Sequence, residues 1–137
     1  MSLMDKSIQK ALLTINITLA ILWIYQGIVP KIIFKAAEER KFWEFLEIDQ
    51  SSMMLFITLS GVVEIIYGCL FLVFRQSKPL HYLNIFGLAG LAVTVAIIYP
   101  QYFTAGFNPF AMNVAMATLS VVAIQLINIQ HSQNVTT

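Results

Sequence analysis

The chain has 137 residues, 58% hydrophobic and 11% charged, against about 45–50% and about 25% in soluble domains. No Asp, Glu, Lys or Arg follows Lys78, so the second half offers no charged surface to water, and the bilayer is its natural solvent. A formal net charge of +1 leaves no basic stripe for nucleic acid.

These totals describe one small membrane domain covering residues 1–137. Cys69 is the only cysteine, which excludes an intrachain disulfide and paired-thiol redox chemistry. Lys6 and Lys10 precede an apolar run, as in a secretory signal. That run continues into Trp23, Tyr25 and Gln26 without a small-residue cleavage pattern, so a retained first helix is expected.

The first span is expected over Ala11–Val29. It ends in Tyr25-Gln26-Gly27-Ile28-Val29-Pro30-Lys31. Pro30 has no N–H to donate, so the helix kinks or stops there and frees a carbonyl. Such a break is tolerated where protein or water lines a cavity. The alternative is an ordinary helix end, with Tyr25 in the aromatic belt and Lys31 reaching outwards.

Residues 35–52 hold most of the charge. Phe42, Phe45, Leu46 and Asp49 fall at helical spacing beside Trp43, the pattern of an amphipathic interfacial helix. It serves as a connector or lid over the bundle, with protein docking as the alternative.

The second span, Met53–Phe74, carries one charged side chain, Glu64, near its middle. An ionisable group at that depth costs about 2.5–3.5 kcal/mol and is normally turned inwards toward a partner. Ser60, Gly61, Tyr67 and Gly68 share its face at spacings of three and four, and small residues there let another helix approach. Glu64 lies roughly 16 Å along the helix axis from Met53, whereas Lys31 begins nearer the surface. Tyrosine, asparagine or water are therefore expected as its partners ahead of Lys31.

A polar turn over residues 75–79 leads to the third span, Leu80–Tyr99, whose Gly87, Ala89, Gly90, Ala92 and Ala96 suit close packing. After Pro100 a neutral aromatic loop runs to Phe107. Asn108-Pro109 opens the fourth span, 109–129, as N-cap and first helical residue. Asn113, Ala117 and Ser120 share one face of it, and a polar disordered tail is expected from Gln130.

The expected fold is all-α, an antiparallel four-helix membrane bundle with an interfacial segment between helices 1 and 2. Alternating directions bring Tyr25, Gln26, Lys31, Glu64, Tyr67, Tyr99, Asn108 and Asn113 to one half or the midplane, and this clustering proposes a ligand site. Lys6, Lys10, Arg75 and Lys78 on the side of the termini balance Lys31, Lys35, Arg40 and Lys41 on the other. Setting Lys31 aside as a site residue favours cytoplasmic termini.

His81 and His131 fall at helix ends on the opposite side, where interfacial histidines are commoner than haem ligands. No metal cluster, phosphate loop, nucleophile motif or dinucleotide fingerprint is recognisable, and no intrinsic cofactor is expected.

Tyr25-Gln26-Gly27 with Pro30-Lys31, Gly61-x-x-Glu64-x-x-x-Gly68, and Asn108-Pro109 with Asn113 together resemble the DoxX-like family of small four-helix membrane proteins. The resemblance spans about residues 11–129. It implies a bacterial inner-membrane protein related to subunits of quinone-linked oxidoreductases, including a thiosulfate:quinone type. The chain departs from that type, since its connecting segments are too short for a thiosulfate-handling domain. It is then not a self-sufficient enzyme but a membrane subunit or accessory, with an oxidoreductase or a second copy as partner. The bound molecule would be a quinone or lipid, its head on Glu64 and Asn113 near Tyr67, with Tyr25, Gln26, Lys31 and Asn108 at the pocket mouth. The alternatives are a proton-coupled transporter or exporter using Glu64, and a structural assembly partner without a ligand.

Overall fold

A computed structural model describes residues 3–104, 106 and 108–135, with all side chains except those at 134 and 135. Its regular elements are α1 (Leu3–Gln26), a π-helical stretch (Gly27–Ile33), α2 (Ala37–Glu44), α3 (Gln50–Val73), α4 (Lys78–Ile98), a 3₁₀ turn (Pro100–Thr104) and α5 (Pro109–Val135). Four helices are long and apolar enough to cross a membrane, and the fold is all-helical as expected.

The helix boundaries follow from local chemistry. Pro30 does not stop the first helix, because the winding widens and the helix continues through it to Ile33. The N–H of Phe34 reaches back five residues to the Val29 carbonyl at 3.1 Å, the i→i−5 pattern that defines a π turn. The first apolar helix therefore runs from Leu3 to Ile33, longer at both ends than the expected 11–29.

Residues 35–52 are not one amphipathic helix. Ala37–Glu44 is helical there and α3 already begins at Gln50, and Asp49 has a different role. Its Oδ2 accepts the Ser52 N–H at 3.0 Å and the Ser51 hydroxyl at 3.1 Å, capping α3. Ser77 caps α4 and Asn108 caps α5, the latter through the Ala111 N–H at 3.1 Å. Nothing breaks α5 at Gln130, so the expected disordered tail is helical to Val135. Pro100–Thr104 winds into a 3₁₀ turn where a loop was expected, and Phe107 lies outside the described residues.

The chain divides into two compact units, Met1–Thr18 with Phe74–Thr137, and Leu19–Val73. In the first unit α4 and α5 run antiparallel, since Gln76 meets Gln130 while Asn84 meets Ser120 and Met116. Polar side chains occupy its interior: Asn16, His81, Asn84, Asn113 and Ser120 are all buried. Asn84 donates to Ser120 Oγ at 2.8 Å, and His81 Nδ1 lies 3.1 Å from the same oxygen. His81 is thus a buried member of a polar network and not the interfacial histidine expected, whereas His131 is exposed.

In the second unit α3 runs antiparallel to the end of α1 and its π turn. A Cβ on Gly68 would lie 2.9 Å from the Ala20 carbonyl, and one on Gly61 would lie 2.7 Å from the Gly27 carbonyl. Only glycine fits either crossing. Large apolar side chains point outwards along α3 and α4, among them Val63, Ile66, Phe86 and Ile97. A polar interior under an apolar surface is a stable arrangement in lipid and a costly one in water.

Candidate functional site

The site is built where the π turn crosses α3. Gly61 and Gly68 stand seven residues apart on the face of α3 turned toward α1, and Glu64 lies between them on the same side. The glycines draw the backbones together, and Lys31 sits one turn beyond Gly27. A Cβ on Gly61 would come within 3.1 Å of Lys31 Cβ.

Lys31 Nζ reaches Glu64 Oε1 at 2.6 Å, with side chains only 14% and 15% exposed. Lys31, expected behind tyrosine, asparagine or water as the partner of Glu64, is thus the partner found. The widened winding at Pro30 carries Lys31 onto the α3 face. A second carboxylate, Glu39 on α2, stands 3.6 Å from the same ammonium. The cluster Glu39–Lys31–Glu64 carries a formal charge of −1.

Glu64 Oε2 is buried and has no hydrogen-bond partner among the described residues. An acceptor left in that condition costs roughly 1–3 kcal/mol, more when charged. Buried ion pairs are in any case weak sources of net stability. The spare oxygen suits a hydrogen-bond donor.

Aromatic side chains continue the same face. Tyr67, one turn from Glu64, meets Trp23 edge-on at a centroid distance of 5.1 Å, and Phe71 follows at 5.3 Å. On the other side Lys35 donates to the Thr58 hydroxyl at 2.6 Å, and Trp43 of α2 stacks on Phe56 at 5.3 Å. Lys35 and Glu47, which flank α2, both have left-handed backbones.

Of the residues expected at the site, Lys31 and Glu64 are in contact and Tyr67 is one turn away. Gln26 is half-buried just before the π turn, and Tyr25 is 55% exposed. Asn108 and Asn113 belong to the other unit, where Asn108 is an N-cap and Asn113 is buried. Glu39, Lys35 and Thr58 were missed. Glu39 sits in a charged run whose sequence resembles any solvated segment, although its Glu-Glu-Arg-Lys density was the one available signal. Among the described residues no group of three His, Cys, Asp or Glu side chains is placed to hold a metal ion.

The sequence profile of the DoxX-like family matches residues 20–121, which include the π turn, Glu64 and Asn113. The chain belongs to the DoxX-like family. Comparison with curated proteins and with solved structures gives no match. This DoxX-like chain is accordingly a multi-pass membrane protein, with the bilayer as its surroundings.

Proposed function

We propose that this DoxX-like protein binds the polar head of a small lipid-phase molecule at the Lys31–Glu64 pair. The ligand we favour is a quinone, and the protein's role is that of a membrane subunit or accessory of an oxidoreductase. The observation that carries the reading is a part-buried lysine–carboxylate pair, at a widened helix turn, in which one buried carboxylate oxygen is still unsatisfied. Lysine and glutamate together offer a donor and an acceptor, and the neighbouring half-buried Tyr67, braced by Trp23, supplies a ring. The family membership gives the redox setting its support.

Native mass spectrometry from a mild detergent tests this, comparing wild type with Glu64→Gln. A quinone or lipid retained by wild type and lost from the variant is the expected result. If both forms are empty and stable while vesicles show flux driven by a pH gradient, the protein is an exporter. Loss of the folded variant makes Glu64 structural. The bacterial inner membrane and cytoplasmic termini belong to the same proposal. A Cys69→Ser protein with one new cysteine at residue 40 or residue 76 checks the orientation, and labelling of residue 40 from the cytoplasmic face reverses it.

A further inference from the structure

The second unit specifies more than a polar head group. Two carboxylates surround Lys31, with Glu64 Oε1 at 2.6 Å and Glu39 Oε2 at 3.6 Å, so the ammonium is already engaged. Within this cluster the buried atom still lacking a partner among the described residues is an acceptor, Glu64 Oε2. A carboxylate oxygen accepts and does not donate. A ligand whose head presents only carbonyl oxygens would set acceptor against acceptor beside a cluster of formal charge −1. A ligand with a hydroxyl would complete the site. The half-buried ring of Tyr67 begins one helical turn away, backed by the buried Trp23 and Phe71, and favours an aromatic body.

We infer that the site selects a hydroxyl-bearing aromatic head, so that for a quinone-type ligand it holds the reduced hydroquinone in preference to the oxidised quinone. The inference rests on the binding reading above and adds the redox form of the ligand. The hydroquinone O–H donates to Glu64 Oε2, while Lys31 stays on Oε1 and fixes the carboxylate's orientation. Glu39 reinforces the preference, because it draws the ammonium away from any incoming carbonyl. The selectivity required is about tenfold, the scale of one hydrogen bond to a charged group. For a two-electron couple this raises the midpoint potential of the bound ligand by about 30 mV.

The test uses full-length protein in phosphatidylcholine nanodiscs under anaerobic conditions. Retention over empty discs is measured for decylubiquinol, decylubiquinone and the dimethyl ether of decylubiquinol. The ether keeps the ring and tail but has no O–H. The expected result is that the quinol binds about tenfold tighter than both others. In Glu64→Gln, whose amide can donate and whose loss of charge frees Lys31, the preference should shrink or invert. Equal binding of all three, or tighter quinone, overturns the inference and leaves the binding reading standing. If none is retained, the binding reading fails and the inference with it. The wild-type comparison decides the matter even if the variant does not fold.

Discussion

Gly27 and Gly61 face each other across the contact between the π turn and α3, and neither has room for a Cβ: one built on Gly61 would lie 2.7 Å from the Gly27 carbonyl. Gly27 is four residues from Lys31 and Gly61 three from Glu64. The crossing of two glycines is what places the ammonium 2.6 Å from the carboxylate.

Gly61→Ala should therefore act at a distance. Forcing a methyl into this contact costs about 1–3 kcal/mol and moves Lys31 away from Glu64. Gly90→Ala on α4, where a Cβ meets nothing within 4 Å, should instead be neutral or gain about 0.5–1 kcal/mol of helix propensity. Denaturation of the two variants in the same detergent separates packing from propensity, and equal losses would contradict the crossing.

The ion pair gives an asymmetric mutational pattern. Lys31→Met leaves Glu64 without its 2.6 Å counter-charge and should cost about 3–5 kcal/mol. Adding Glu64→Leu should recover much of that loss, because an apolar pair no longer carries a desolvated charge. A double-mutant cycle in detergent measures this, and simple additivity would mean that the two side chains do not interact.

Asp49 brings a pH dependence outside the spans. The Ser52 N–H, followed by the Ser52 and Ser51 hydroxyls, holds its carboxyl down at about 2 from an ordinary 3.8. A depressed folded-state value means that the cap is fully present above pH 3.8 and is lost as pH falls through about 2. Amide exchange at Ser51 and Ser52 should accelerate over that window. Asp49→Asn should keep part of the protection and remove the pH dependence.

In the other unit Ser120 bonds to both Asn84 and His81. Ser120→Ala removes one hydrogen bond from each of two buried side chains, a change worth about 1–3 kcal/mol in a soluble core. In membranes the unfolded state also finds partners, and interhelical hydrogen bonds average only about 0.6 kcal/mol. A loss near 1 kcal/mol is expected, with a shifted His81 ring resonance in NMR reporting the changed network.

Trp43 tests the attachment of α2. Its indole stacks on Phe56, between left-handed residues Lys35 and Glu47 that give the segment no continuous helix to either side. Trp43→Ala should speed amide exchange throughout Ala37–Glu44 while leaving the centre of α3 protected. Unchanged exchange in α2 would mean that the ring contact does not hold it.

The sequence by itself determined the solvent, the fold class and the loneliness of Glu64. Apolar runs, charge-free apart from Glu64, set four spanning helices, because in hydrocarbon the backbone has no other way to satisfy its polar groups. Asn108-Pro109 announced its own helix start through chemistry within four residues. Asp49 was harder to read, since an N-cap aspartate and an amphipathic-helix aspartate differ only in where the next helix begins. The tertiary structure alone decided that Lys31 is the partner of Glu64. Hydropathy and spacing are local quantities, and a glycine states only that some backbone can come close. Which backbone comes, and whether Pro30 ends a helix or is absorbed in a π turn, depends on the crossing of Gly27 with Gly61, residues distant in sequence. That crossing fixed the pair and left Oε2 over.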